Sequence, residues 1–338
     1  MGAAALLLGA AAAFPCTTFV LHDGELVLFA KNYDWSLGDG LLVVNPSGLQ
    51  RTAMVPAGVR AASWTSRFGS VTFNQYGVAS PSGGINEAGL AIELMWLDET
   101  RYPDADERPV VGNLEWIQYQ LDRNATVAEV VASDRQVRIA DNAPLHYLVA
   151  DRSGEVAVIE FLDGRLQARR GADVPVPALA NDPYAEELAS WRRAEDRHSR
   201  FARAGRRALD FRANGRRDDA VDYAFTTLRG VAQPSTQWSI VYDLRGGELF
   251  FRTKHRDAVR RLEVGGLDFA CAAGVRAVDL DDPGPDMATA LRPLTAQRHR
   301  GFLATVYAKT SFLASTPPAR IDQLAEQPLA AGCAAPSR

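Results

Sequence analysis

A cysteine at position 16 stands directly after residues 1–15, an uncharged and mostly apolar segment (MGAAALLLGAAAAFP). If that segment is removed, Cys16 becomes the first residue and carries both a thiol and a free α-amine. The ordinary pKa values of these groups, ~8.5 and ~8, allow a proton to pass from sulfur to nitrogen near neutral pH. The thiolate can then attack an amide carbonyl, and the amine can protonate the leaving nitrogen. The position of Cys16 therefore predicts a nucleophile with its own base.

The segment before Cys16 predicts export to the periplasm or secretion. It is shorter than the ~20 apolar residues of a membrane span, and it is typical of a secretory signal with small residues at its cleavage site. We therefore expect a processed protein that does not insert into a membrane. A non-enzymatic envelope protein with a lipid anchor on Cys16 is an alternative, which Pro15 disfavours because lipidation needs a small residue there. The third interpretation is an intracellular amidase in which only a short leader is trimmed.

Composition excludes several classes of function. The chain has 338 residues, a net charge of −4 and 47% hydrophobic residues, which is ordinary for a globular protein. Arginine is frequent after residue 190 but is interleaved with Asp and Glu, so no nucleic-acid partner is expected. The five histidines follow no pattern that marks a catalytic partner. We expect no metal and no organic cofactor. Cys271 and Cys333 form either a disulfide or two free thiols.

A hairpin is predicted to begin at Cys16 itself. Thr17–Phe29 alternates in polarity around the turn His22-Asp23-Gly24-Glu25. Along the chain, strands, helices, strands, helices and strands follow one another, which favours stacked sheets faced by helices over βαβ crossovers. The other predicted strands are 41–44, 70–73, 89–95, 146–150, 155–161, 237–243 and 248–252. The predicted helices are 113–121, 126–133, 185–209 and 218–228. Residues 16–338 are expected to form one domain, with a C-terminal extension of helix and coil from about 272.

Several short motifs follow one another along residues 16–253. They are Pro15–Phe19, Lys31–Trp35, Gly84–Leu90, Leu145–Tyr147 with Ile159-Glu160, Leu179–Pro183, Ser199–Phe201 and Trp238–Asp243. In order and spacing this set resembles the choloylglycine hydrolase family of the N-terminal nucleophile hydrolase superfamily, whose members include penicillin V acylases and conjugated bile salt hydrolases. The resemblance implies an α+β fold, a four-layer αββα sandwich with the nucleophile at the start of a central strand.

The resemblance also implies roles for single residues. Cys16 is the nucleophile and base, and Asp34 is the carboxylate that holds its amine and thiol. Asn181 gives the side-chain donor of the oxyanion hole, and the backbone N–H of Trp96 gives the second donor. Arg200 orders the carboxylates around the site. Further expected site residues are Lys31, near the thiolate, and Trp35, Trp96 and Asn86, which contact the substrate.

Two departures from bile salt hydrolases narrow the expected substrate. Lys31 stands where those enzymes have arginine, so the positive charge is kept but the planar guanidinium, with its paired N–H donors, is lost. Trp35 and Trp96 suit a flat apolar acyl group better than a steroid, as in the exported Gram-negative branch of penicillin V acylases. We expect an amidase that hydrolyses a small N-acyl amide, penicillin V or an acyl-homoserine lactone, through an acyl-thioester. Conjugated bile salts are the alternative substrate, and the family implies a homotetramer.

Overall fold

The computed structural model describes residues 16–194, 196–215, 219–284 and 286–335. The leader 1–15, predicted to be removed, lies outside the described residues. In the described part the strands in chain order are β1 (Thr17–His22), β2 (Val27–Asp34), β3 (Leu41–Asn45), β4 (Gln50–Thr52), β5 (Ser63–Thr65), β6 (Ser70–Asn74), β7 (Pro81–Asn86), β8 (Ala91–Trp96), β9 (Val110–Val111), β10 (Arg138–Ile139), β11 (Leu145–Ala150), β12 (Val156–Leu162), β13 (Arg165–Arg170), β14 (Ala178–Leu179), β15 (Thr236–Asp243), β16 (Glu248–Thr253), β17 (Arg260–Glu263), β18 (Arg276–Asp279) and β19 (Arg292–Pro293).

The helices pack on a sheet or on a neighbouring helix. They are α1 (Asn113–Arg123), α2 (Val127–Ala132), α3 (Tyr184–Arg193), α4 (Arg200–Asn214), α5 (Ala220–Val231), α6 (Met287–Ala290), α7 (Ala296–Lys309) and α8 (Pro318–Glu326). Thr126 caps α2, because its hydroxyl accepts the N–H of Glu129 at 3.2 Å.

Two large sheets form the body of the molecule. The first has the order β14-β1-β2-β15-β16-β17, and the second has the order β13-β12-β11-β8-β7-β6-β3-β18-β19. Helices α4 and α5 cover the first sheet, and α1 covers β7 and β8 of the second. One core lies between the sheets and beneath α4 and α5, and another lies between the second sheet and α1 and α2. The predicted α+β four-layer αββα sandwich is confirmed.

The hairpin of β1 and β2 is stabilised by contacts between residues that are close in sequence. Asp23 Oδ1 accepts the backbone N–H groups of Glu25 and Leu26 at 3.0 and 2.8 Å, which closes the turn. Gly24 has φ +98°, a conformation that a side chain disfavours. All eight residues of β2 are buried, since this strand lies in the middle of its sheet with both faces covered.

Two elements differ from the sequence predictions. The helix predicted over 185–209 is two helices, since α3 ends at Ala194 in the left-handed region (φ 55°) and α4 is capped anew by Ser199. The C-terminal extension also contains strand as well as helix and coil, because β18 pairs with β3 and enlarges the second sheet. Within the ranges described above, no helix is long and apolar enough to cross a membrane.

Candidate active site

Cys16 lies immediately before β1 and is brought beside the end of β2. Thr17 pairs with Asn32 across the hairpin, so the Cys16 sulfur lies 3.9 Å from the backbone oxygen of Asp34. The residue is only 4% exposed. Burial raises the pKa of the Cys16 thiol, and the positive charge of Lys31 opposes that rise. A buried thiol of this kind needs a neighbouring base to become a nucleophile.

Asp34 is a buried carboxyl group with one oxygen engaged. Its Oδ1 accepts the hydroxyl of Thr236, at the start of β15. Its Oδ2 is buried and has no hydrogen-bond partner among the described residues. Burial raises the pKa of Asp34 from 3.8 to about 6, against the lowering effects of the Thr236 hydrogen bond and the charges of Arg200 and Lys31. A buried acceptor without a donor is unfavourable, so this oxygen is suited to receive one.

Arg200, the first residue of α4, connects the cysteine to the predicted oxyanion residue. Its Nη1 donates to the carbonyl oxygen of Cys16 and to Thr17 Oγ1, the latter at 2.7 Å. Its Nη2 donates to Asn181 Oδ1 at 3.0 Å. The N-cap Ser199 fixes the start of the helix by accepting the N–H of Ala202 at 3.0 Å. The planar guanidinium therefore sets the relative position of two predicted site residues.

Asn181 is oriented by contacts at both ends of its amide. Because Oδ1 accepts from Arg200, the nitrogen points the other way, and Nδ2 donates to the carbonyl oxygen of Trp96 at 2.7 Å. A primary amide has two N–H donors, so one remains for a substrate oxygen. The structure thus brings Asn181 and Trp96 together through the Trp96 carbonyl, while the role of the Trp96 N–H stays a prediction.

His146 and Glu160 hold the turn that carries Asn181. His146 Nε2 lies 2.9 Å from the oxygen of Ala180, and its Nδ1 lies 3.6 Å from Glu160 Oε1. The same Glu160 oxygen accepts the N–H of Tyr184 at 2.8 Å. Both side chains are buried and come from neighbouring strands, β11 and β12. The sequence marked the pair as a motif, but its position behind Asn181 is visible only in the fold.

Lys31 forms a buried ion pair between the two sheets. Its Nζ lies 3.3 Å from Glu93 Oε2 and also donates to the backbone oxygen of Leu94. Glu93 Oε1 accepts the hydroxyl of Tyr242 at 2.6 Å. Burial raises the pKa of Glu93, and the Lys31 charge opposes that rise. Gly83 is required opposite, since a Cβ there would meet the Glu93 carboxyl at 2.1 Å.

An apolar cavity of about 270 Å³ opens over the cysteine. Trp35 and Trp96, the predicted substrate-binding tryptophans, both line it together with Cys16. Trp35 is oriented by a hydrogen bond from its Nε1 to the Tyr76 hydroxyl at 2.6 Å. Other lining residues come from β2, from the 75–82 segment, from β8, from α1 and from the C-terminal part of the chain; they include Tyr33, Gln75, Ser82, Leu94, Leu114, Tyr307, Phe312 and Leu313.

The structure does not support the predicted contact between Asn86 and substrate. Its Nδ2 donates to the backbone oxygens of Leu121 and Asn124 at 2.8 and 2.7 Å, and its Oδ1 accepts the N–H groups of Ala88 and Leu90. The amide is buried and braces the β7–β8 turn against the end of α1, away from the cavity. The expectation that Asn86 contacts substrate is therefore replaced by a structural role.

The chemical groups around Cys16 are those of a nucleophilic site. They provide a thiol, a carboxyl, a guanidinium and an amide, a combination that suits attack on a carbonyl with stabilisation of the resulting oxyanion. In the part of the chain that the structure describes, no three His, Cys, Asp or Glu side chains are grouped so that they could hold a metal ion.

Comparison with known proteins agrees with this arrangement. The family model described as linear amide C–N hydrolases, choloylglycine hydrolase family, matches residues 16–202. A penicillin V acylase from Pectobacterium atrosepticum is 28% identical over 347 residues, covering 84% of this chain and 90% of that protein. The solved penicillin V acylase of Agrobacterium tumefaciens is 29% identical with a TM-score of 0.73, covering 83% of this chain and 98% of that one.

A more distant structure shares the fold. A variant of the conjugated bile acid hydrolase from Clostridium perfringens is 15% identical, with a TM-score of 0.65 and coverage of 80% of this chain and 98% of that one. Since the family model spans more than half of the chain and begins at Cys16, the match includes each residue of the site described above up to Arg200. The chain belongs to the choloylglycine hydrolase family of linear amide C–N hydrolases.

Proposed function

We propose that this linear amide hydrolase uses Cys16, exposed as the N-terminal residue, to cleave N-acyl compounds with an apolar acyl group, penicillin V and acyl-homoserine lactones among them. The observation that carries the proposal is the position of Cys16 at an apolar cavity, beside a carboxyl group whose buried Oδ2 has no donor among the described residues. The penicillin V acylases described above support this choice of substrate class.

The proposed first step begins with proton transfer from the Cys16 thiol to its own α-amine. Asp34 Oδ2 is the acceptor for the resulting ammonium, which explains why a buried carboxyl oxygen has no donor among the described residues. The thiolate then attacks the amide carbon. The second N–H of Asn181 Nδ2 and the backbone N–H of Trp96 stabilise the oxyanion.

In the second half, the ammonium gives its proton to the leaving nitrogen as the C–N bond breaks. An acyl-thioester on Cys16 remains, and the amine product departs. Water, deprotonated by the α-amine, attacks the thioester; the C–S bond breaks, and the acid and the free thiol are released. Each step needs only groups that Cys16, Asp34, Asn181 and Trp96 provide.

The cavity favours aryl and straight-chain acyl groups over conjugated bile salts. Its volume of about 270 Å³ and the two indole walls of Trp35 and Trp96 suit a flat or thin group. The test compares turnover of penicillin V, an acyl-homoserine lactone and a conjugated bile salt by wild type and by Cys16→Ala. The proposal predicts hydrolysis of the first two that depends on Cys16. Equal turnover by the Cys16→Ala variant contradicts it.

We also propose that the protein is exported and works in the periplasm or outside the cell. A disulfide joins Cys271 and Cys333, which fits an oxidising compartment. Cell fractionation with mass spectrometry of the N-terminus tests export: lipid on Cys16 would indicate the envelope-anchored alternative, and a cytoplasmic location the intracellular one. The homotetramer implied by the family is tested by size-exclusion chromatography with light scattering.

A further inference from the structure

The last part of the chain forms an arm that reaches the cavity. We define the C-terminal arm as residues 296–335; it contains α7, α8 and the second half of the disulfide. Three of its side chains, Tyr307, Phe312 and Leu313, line the cavity over Cys16. Residues close to the end of the chain thus shape the space in front of a nucleophile close to its start.

The arm is fixed to the cavity wall by His299. The backbone N–H of Val78 lies 3.2 Å from His299 Nε2, and because an amide N–H can only donate, Nε2 accepts. Nδ1 therefore carries the proton and donates to the carbonyl oxygen of Ala325 in α8 at 3.0 Å. A single buried imidazole joins α7, α8 and the segment that contributes Tyr76 to the cavity.

Further contacts hold both ends of the arm. Lys309 Nζ lies 2.6 Å from Asp39 Oδ1 at the end of α7. At the other end Cys333 is bonded to Cys271, and the backbone N–H of Gln50 donates to Gly332 at 2.9 Å. Apolar residues of α7 and α8, with Leu37 and Tyr76, form a small separate core. The arm is therefore a fixed wall of the site.

Phe312 has an unusual environment for a phenylalanine. It is 65% exposed, yet its ring lies 6.3 Å from the Tyr76 ring and faces the cavity. Tyr76 in turn accepts the indole N–H of Trp35. Trp35, Tyr76 and Phe312 are thus linked in a row along the cavity that Cys16 also lines. An exposed apolar side chain at a rim gains free energy only when a ligand covers it.

We propose that Phe312 is a specificity-determining residue: it is an outer platform for the tail of long acyl chains, so that the enzyme prefers long alkanoyl amides to short ones. This inference rests on the proposed function and adds the substrate length. On this proposal, a long acyl chain that lies along the aromatic side chains covers the Phe312 ring, and a short chain does not reach it. The arm, through Phe312, would then select substrates by length.

The experiment measures kcat and KM for hexanoyl, decanoyl and dodecanoyl homoserine lactones, and for penicillin V, with wild type and Phe312 variants. Wild type is expected to prefer the dodecanoyl substrate. Phe312→Ala is expected to raise KM for that substrate by about 3- to 10-fold, with kcat and the hexanoyl KM unchanged, since only the long chain loses apolar contact. Phe312→Trp is expected to keep the wild-type preference because it restores a ring.

Phe302→Ala is the matched control. Phe302 belongs to the same arm and packs on the small core, but it does not line the cavity. Its replacement is expected to lower stability without changing the length preference. A Phe312→Ala profile equal to wild type, a gain on the dodecanoyl substrate, or no preference in wild type overturns the inference. Turnover of penicillin V in those cases leaves the proposed function intact; loss of all turnover in wild type refutes the proposed function itself.

Discussion

Arg200 Nη2 donates to Asn181 Oδ1 at 3.0 Å, while Nη1 of the same guanidinium donates to the carbonyl of Cys16. The proposed nucleophile, Cys16, and the proposed oxyanion donor, Asn181, are therefore positioned by one planar group at the start of α4. Arg200 thus contacts Cys16, 184 positions away in the chain, and links it to Asn181.

The first prediction concerns Arg200→Lys. An ammonium cannot hold both the Cys16 carbonyl and the Asn181 oxygen, so the Asn181 amide is free to turn. We expect kcat to fall by about 10²-fold, comparable to loss of one oxyanion donor, with KM little changed. Steady-state kinetics on penicillin V measure it. Arg203→Lys on the same helix, where Nη1 donates to the Gly230 oxygen away from the cavity, is the control and should keep wild-type kcat.

The second prediction concerns the buried pair behind Asn181. His146→Phe removes the group that holds the Ala180 oxygen, so we expect kcat to fall about 10-fold with KM unchanged and stability to fall by about 1–3 kcal/mol. His146→Gln keeps a donor and should recover much of kcat. A kcat that follows stability alone in both variants, without recovery by Gln, would show that the pair has no positioning role.

The third prediction follows from the raised pKa of Asp34. Because the folded-state pKa of about 6 exceeds the ordinary value of 3.8, Asp34 favours the folded state fully below pH ~4, and this contribution is lost as pH rises through about 6. In protein that still carries residues 1–15, this effect lowers the free energy of unfolding at pH 7 by about 3 kcal/mol, since one pKa unit corresponds to about 1.36 kcal/mol. Asp34→Asn should therefore lose less stability than wild type between pH 4 and pH 7 in denaturant unfolding.

Processing at Cys16 provides the internal control for that experiment. An α-ammonium next to Asp34 favours the carboxylate and lowers its pKa. The difference between wild type and Asp34→Asn should then shrink in protein that begins at Cys16. An equal difference in processed and unprocessed protein would contradict a contact between the amine and Asp34.

The fourth prediction concerns the disulfide that holds the end of the C-terminal arm. It joins residues 62 positions apart, so removing it with Cys271→Ser and Cys333→Ser is expected to cost about 2–4 kcal/mol in the free energy of unfolding. Activity at low temperature should remain, because Cys16 is separate from the pair. Denaturant unfolding with and without reductant measures it; the double variant should show no response to reductant.

The elements near Cys16 were predictable because their signals are local. The hairpin is determined by alternation and by the Asp23-Gly24 turn, both visible in the sequence. The ordered motifs also pointed to Asp34, Asn181 and Arg200, which the structure brings together around Cys16.

Other features of the fold and the site could not be predicted, because they depend on long-range packing or lie in a stretch rich in charged residues. Asn86 belongs to one of the motifs, but its side chain hydrogen-bonds the backbone at the end of α1 and in the β7–β8 turn. The position of Asn86 near Trp96 in the sequence gives no sign of these contacts. The break between α3 and α4 is marked in the sequence by Asp196 and Ser199. Asp196 Oδ1 accepts the N–H of Ser199, and Ser199 then caps α4. The charged residues around this pair obscured it. No feature of the sequence marked Phe312, because its position at the cavity depends on how the C-terminal arm folds back.

We propose that Cys16 acts as an N-terminal nucleophile, and mass spectrometry of the intact, active protein after brief reaction with a slowly cleaved N-acyl substrate tests this most directly. We expect a chain that begins at Cys16 with a free α-amine, and an acyl adduct on its sulfur that disappears with turnover. An active protein that begins upstream of Cys16, has a blocked nitrogen there, or forms its adduct on another residue would contradict it.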